Sequence, residues 1–190
     1  MSPEPFTTLR SRTVVIAQEN VDTDQIIPAR FLTTTEREGL GRLAFHDWRF
    51  DGQGGETSSP LNAVDPVTHR VLVAGRNFGC GSSREHAAWA LLDFGFRAVV
   101  CTELADIFTS NALKNGLLPV VVDEDMHARL LARPGEEVTV ALEAEEVRGA
   151  GRVARFPIDP FARRCLLDGV DQLGFILGRM PAVAAFEAAA

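Results

Sequence analysis

Between residues 70 and 122 the chain alternates between two kinds of pattern, and this alternation constrains the fold more than any other feature. Residues 70–74, 96–101 and 117–122 are short apolar runs with little polar interruption. A strand that is apolar on both faces must be covered on both. Residues 83–94 and 102–115 carry the apolar spacing of helices, and Gly95 and Gly116 follow them. Glycine ends helices because its backbone turns left-handed without steric cost. Thr102 is placed to cap the second helix. A strand–helix–strand–helix–strand order is met by parallel strands joined through right-handed crossovers. The chain is therefore expected to be α/β.

The flanking segments add to this core. Residues 13–17 read as a strand. A turn-rich stretch follows to residue 28 and contains Asn20-Val21-Asp22-Thr23-Asp24. Residues 52–60 are rich in Gly and Ser and read as a surface loop, and two prolines make 60–68 irregular. Further on, residues 136–143 alternate apolar and polar through Val138, Val140 and Leu142, the period of a half-buried strand. Residues 145–148 and 151–156 predict two more short strands. Residues 160–168, 170–177 and 181–189 predict helices. The sum is an α/β core with an added β-layer: mixed parallel and antiparallel strands with flanking helices, in one domain over residues 1–190.

Composition excludes several functions. The chain has 190 residues, 46% of them hydrophobic, too many for a disordered state. Its net charge is −7, and its one lysine is Lys114. No basic patch suggests nucleic acid or an anionic membrane. The longest apolar run, 87–92, falls far short of the ~20 residues a membrane helix needs. Residues 1–12 lack a signal peptide's apolar region, so a cytoplasmic protein is expected. Three cysteines stand apart, no C-x-x-C occurs, and the four histidines are scattered. That pattern supports neither a disulfide framework nor a metal site within this chain.

The stretch that carries chemistry is Ala74-Gly75-Arg76-Asn77-Phe78-Gly79-Cys80-Gly81-Ser82-Ser83-Arg84-Glu85-His86-Ala87, where a strand gives way to a helix. Backbone N–H groups at a helix start are unpaired and carry partial positive charge. Gly79 and Gly81 allow a ligand close to the backbone. Arg84 adds a forked donor suited to a carboxylate. Together they make an anion site. The ordinary structural alternative is a capping box, Ser82-x-x-Glu85, with either Gly81 or Ser82 as the cap. The loop lacks both the G-x-G-x-x-G spacing and a P-loop lysine, so a nucleotide is a poor match. Two serines followed by an arginine exceed what a cap requires. One hydroxyl can cap while the other faces a ligand, and N–H dipoles with a guanidinium can stabilise an alkoxide.

The block from Asn77 to Ala87 resembles the signature of the swivelling domain in aconitase-family dehydratases. Asn20-Val21-Asp22-Thr23-Asp24-Gln25-Ile26-Ile27-Pro28 is similar to a second signature of that family. Phe45-His46-Asp47-Trp48-Arg49-Phe50 resembles a segment of the bacterial small subunits of 3-isopropylmalate dehydratases. Ala105-Asp106-Ile107-Phe108, Asn111, Leu117-Leu118-Pro119-Val120 and Gly169-Val170-Asp171 fit the same subunits. The resemblance spans nearly the whole chain.

It implies a swivelling β/β/α domain of aconitase type and a hydro-lyase interconverting 2- and 3-isopropylmalate. It also implies a large-subunit partner that carries a four-iron four-sulfur cluster, no cofactor on this chain, and an active site between the two chains. By motif, Ser82 matches the base that removes a proton, and Ser83 and Arg84 match carboxylate binders. Asp24 matches an active-site acidic residue. The arginine for a second carboxylate falls after the second signature, where Arg30 is one option and Arg42 another. Phe31 and Leu32 face the substrate's variable group, or simply belong to the core. Asp22 braces its own turn. The same two signatures would serve a related hydro-lyase acting on 2-methylmalate or homoaconitate. A helix-end anion site could also serve a non-enzymatic dicarboxylate-binding module.

Overall fold

A computed structural model describes residues 4–33 and 36–189. Seven strands, β1 (Thr8–Ile16), β2 (Val71–Ala74), β3 (Ala98–Cys101), β4 (Leu118–Val121), β5 (Glu137–Ala141), β6 (Glu146–Gly149) and β7 (Arg152–Arg155), form one sheet ordered β4-β3-β2-β1-β5-β6-β7. Among the described residues eight helices accompany them: α1 (Thr23–Ile26), α2 (His46–Arg49), α3 (Glu85–Phe94), α4 (Asp106–Asn115), α5 (Glu124–Leu131), α6 (Pro160–Asp168), α7 (Gln172–Leu177) and α8 (Met180–Ala189). Single 3-10 turns occur at Ala29–Phe31, Gly41–Leu43 and Pro60–Ala63.

The sheet is mixed, as expected, and β1 is where it changes character. Its second half pairs parallel with β2, Thr13 opposite Val71 through Ile16 opposite Ala74. Its first half pairs antiparallel with β5, Thr8 opposite Ala141 through Arg12 opposite Glu137. The strand begins five residues earlier than the apolar run 13–17 indicates. Residues 8–12 are exposed on one face and include two arginines, so hydropathy alone hides them. The pairs β2–β3 and β3–β4 are parallel, and β5–β6 and β6–β7 antiparallel.

Side chains alternate between two cores, one on each side of the sheet. Leu72, Ala74, Val99 and Cys101 join the core under α1, α3 and α4, with Phe45, Phe78, Leu91 and Phe108. Val71, Val73, Ala98, Val100, Leu118 and Val120 join the other, with Met126 and Leu130 of α5 and Val138, Val140 and Val147 of the antiparallel strands. This two-sided burial explains the unbroken apolar character of β2 and β3, every residue of which is buried.

Three local expectations need correction. Helix α3 starts at Glu85 rather than 83, and neither Gly81 nor Ser82 caps it. Arg84 holds the N-cap position in extended backbone, with no side-chain cap bond. Helix α4 starts at Asp106, with Ala105 rather than Thr102 at its N-cap. Residues 103–105 cannot wind into helix because they pair with the loop after β2: Ala105 N–H donates to the Phe78 carbonyl at 3.0 Å and Phe78 N–H to that of Glu103 at 3.3 Å. Helix α5 was not expected, although its signals are in the sequence. Asp123 caps it through Met126 N–H at 2.8 Å, and Met126 and Leu130 fall four apart on the buried face.

Helices α7 and α8 leave Leu173, Ile176, Leu177, Met180, Val183 and Phe186 largely exposed. Among the described residues, no helix is long and apolar enough to cross a membrane.

Candidate active site

The loop between β2 and α3 is gripped from both sides. On one side Gly79 N–H donates to the Val21 carbonyl at 2.7 Å, Thr23 N–H to that of Cys80 at 3.0 Å, and Asn20 N–H to that of Arg76 at 2.8 Å. On the other side stand the bonds between Phe78 and residues 103–105. Gly79 has φ +76°, and a Cβ there would enter the space of the Phe108 ring. Glycine is thus required twice over at this position, for backbone hand and for contact. Gly81, at φ +86°, turns the chain outward. Ser82 and Ser83 then stand exposed, and Arg84 half-buried.

The N-cap residue of α3, Arg84, makes no side-chain cap bond, and in the first turn Ala87 N–H donates to the Arg84 carbonyl at 3.4 Å. Glu85, the other half of the expected capping box, faces elsewhere. It accepts from Asn115 Nδ2 at 2.7 Å, and Asn115 also accepts from the Trp89 indole N–H at 2.8 Å. These bonds tie α3 to α4.

The second signature supplies the wall opposite. Asp22 does brace its turn: its carboxylate accepts from Gln25 N–H at 2.8 Å, and Asp22 N–H donates to Gln25 Oε1 at 2.9 Å. That reciprocal cap starts α1. Thr23, buried, donates through Oγ1 to the Ser82 carbonyl at 3.1 Å. Asp24 meets the Arg84 guanidinium in an ion pair and accepts from Ala29 N–H at 3.0 Å. The Arg84 guanidinium holds the Asp24 carboxyl below the usual carboxylate range, against a smaller desolvation effect. Hydrogen bonding from Arg84 is the larger part of that lowering, with charge attraction adding to it. The structure thus brings Asp24, Ser82, Ser83 and Arg84 to one place.

Arg30, Phe31 and Leu32 follow directly, in the turn whose start is pinned to Asp24. Phe31 and Leu32 are half-buried and pack against the core on that side. Arg30 pairs with Asp47 at the start of α2, outside the Asp24–Arg84 contact. Arg42 lies at the far end of α3: its neighbour Gly41 donates N–H to Asp93 Oδ2 at 2.7 Å. A helix of ten residues is about 15 Å long, so Arg84 and Arg42 mark opposite ends of it. Of the two arginines, Arg30 is the one that directly follows Ala29, whose N–H donates to Asp24.

Tertiary connections of this kind leave no mark in the sequence. The Thr23–Ser82 bond joins residues 59 apart, and the Arg30–Asp47 pair joins two segments that each looked self-contained. Neither has a local signal.

Among the described residues no group of three or more His, Cys, Asp or Glu could hold an ion. Cys101 is buried and its thiol donates to the carbonyls of Gly75 and Glu103, both at 3.0 Å, and burial pushes its pKa up. Cys165 is buried in α6, and Cys80 lies in the loop.

Comparison with known proteins bears on the family and the fold. Residues 3–125 match the model of the aconitase C-terminal domain. A protein of Anaeromyxobacter sp. (strain K) named 3-isopropylmalate dehydratase small subunit is 56% identical over 186 residues, 97% of each chain. One of the same name from Herpetosiphon aurantiacus is 52% identical, covering 97% of this chain and 94% of its own. A crystal structure of a 3-isopropylmalate dehydratase from Methanocaldococcus jannaschii superimposes with a TM-score of 0.71 at 28% identity, over 94% of this chain and 98% of that one. The match spans both halves of the sheet, the antiparallel strands included. This chain belongs to the family of 3-isopropylmalate dehydratase small subunits, built on the aconitase C-terminal domain.

Proposed function

We propose that this chain is the small subunit of a cytoplasmic 3-isopropylmalate dehydratase, a single swivelling domain that is active only with its large subunit. The complex interconverts 2-isopropylmalate and 3-isopropylmalate, a step of leucine biosynthesis, by losing and regaining water. The observation that carries this reading is the uncapped start of α3, with two exposed serines and an arginine above it.

The substrate is a hydroxy diacid whose departing proton sits on the carbon beside a carboxylate. That proton is weakly acidic, and negative charge builds where it leaves. Ser82 Oγ, as the alkoxide that Arg84 and nearby N–H dipoles stabilise, takes the proton and becomes the hydroxyl. Arg84, Ser83 and the first-turn N–H groups of α3 bind the adjacent carboxylate and stabilise the developing charge. Asp24, ionised at neutral pH, acts as the fixed partner of Arg84. Arg30 receives the second carboxylate, and Phe31 and Leu32 flank the isopropyl group. In the return half of the reaction the Ser82 hydroxyl gives the proton to the neighbouring carbon as hydroxide adds to the first, and Ser82 returns to the alkoxide. Polarising the departing hydroxyl is Lewis-acid work, supplied by a four-iron four-sulfur cluster that we assign to the large subunit.

Reconstitution tests the two-chain reading. The chain is mixed with a cluster-loaded large subunit and the absorbance of isopropylmaleate is followed. Turnover is expected only in the mixture, and full turnover by this chain alone would overturn the reading.

A further inference from the structure

His46 and Asp47 have no role in the chemistry above, yet the fold fixes them firmly. Helix α2 begins after Phe45, which is fully buried and adopts left-handed backbone at φ 50°. A bulky residue persists in that region only when its surroundings impose it. Here Phe45 N–H donates to the Ile26 carbonyl at 2.7 Å, and its ring stacks on Trp48 at 5.3 Å. The start of α2 is thereby bolted to the end of α1, which also carries Asp24.

That anchoring aims Asp47 at Arg30. Arg30 Nη1 donates to Asp47 Oδ2 at 3.0 Å, and Nη2 meets Oδ1. Nη2 also lies 3.3 Å from His46 Nδ1. The guanidinium sits over the Phe31 ring, 4.6 Å from its centroid. The His46 ring lies against both Phe31, at 4.9 Å, and Phe50, at 5.1 Å. Arg30, His46, Asp47 and Phe50 are among the residues lining an open cavity of about 440 Å³. Exposed ion pairs ordinarily do little, because long side chains must be held still to make them. This one is two-pronged, and a ring below and an imidazole beside it further restrict the arginine. The guanidinium has five donors, so the Asp47 fork leaves others for a ligand.

We propose that Asp47, supported by His46, is a positioning residue that presets Arg30 for the second carboxylate of the diacid substrate. The inference rests on the assignment of Arg30 made above. Arg30 would otherwise have to be ordered when substrate binds, which weakens binding without altering the chemical step.

The test uses the reconstituted two-chain enzyme with 2-isopropylmalate. Asp47→Asn keeps the shape and removes the charge. It is expected to raise KM about tenfold with kcat within about twofold, and Asp47→Glu is expected to recover most of the loss. In an Arg30→Lys background the Asp47→Asn change should add little, because the two act as a unit. Thermal midpoints within about 2 °C of the parent exclude a folding defect. If Arg30→Ala raises KM but Asp47→Asn does not, the positioning role is wrong and Arg30 stands. If Arg30→Ala leaves KM unchanged, the assignment of Arg30 itself fails. A fall in kcat alone for Asp47→Asn would also overturn the proposal.

Discussion

Thr23 Oγ1 donates to the Ser82 carbonyl at 3.1 Å, and through that bond the turn carrying Asp24 and the loop carrying the serines become one rigid unit. Thr23 is buried, so the bond is shielded from water. Thr23→Val keeps the shape and leaves the Ser82 carbonyl without this donor. We expect a stability loss of about 1 kcal/mol and a fall in kcat/KM of about tenfold, since small displacements of a reacting group are costly. Urea denaturation and steady-state kinetics on the same variant check both.

Asp24 sets an acid limit on the Arg84 contact. Its carboxyl titrates below the ordinary value because Arg84 favours the ionised form, and the unfolded value is about 3.9. The stabilisation is therefore fully present above the unfolded value and lost as pH falls through the lower folded one. The stability difference between the parent and Asp24→Asn should stay constant from about pH 5 upward and shrink in stronger acid. The side chain is half exposed, so the difference should be small, while activity should suffer much more because Arg84 loses its fixed partner. Denaturation across a pH series, beside rates at pH 7, separates the two effects.

Gly79→Ala should damage the fold before the chemistry. The position combines φ +76° with the Phe108 ring where a Cβ would go. Strain and overpacking together predict a loss of about 3 kcal/mol, read as a lower urea midpoint with unchanged slope.

Thiol reagents should distinguish the cysteines. Cys101 and Cys165 are buried, and burial raises the pKa of both thiols. Cys80 is half-buried in the loop two residues before Ser82. Alkylation of the folded chain should label Cys80 first and block reconstituted activity, and Cys80→Ser should remain active and resist the reagent. Mass spectrometry of labelled peptides gives the order.

The apolar runs of β2, β3 and β4 were legible because both faces of each are buried, so their pattern needs no partner to interpret. Helix α6 was legible for a different reason: Asp159, Pro160 and Gly169 mark its ends locally. The first half of β1 was not, because its partner β5 lies about 130 residues away and its exposed face is charged. The start of α3 misled for the opposite reason. Ser82-x-x-Glu85 is a sound local cap, but Asn115, 30 residues away, claims Glu85. Ser82, Arg84 and Asp24 stood out through resemblance, whereas the bonds that bring them together, Thr23 to Ser82 and Asp24 to Arg84, are tertiary and leave no trace in either segment.

The most direct measurement is the rate of the reconstituted enzyme with Ser82→Ala in this chain. Loss of the proton acceptor should lower kcat by about 10²–10⁴-fold, with KM changed only a few-fold, because Arg84 and the α3 N–H groups still hold the diacid. Turnover close to that of the parent would contradict the central claim.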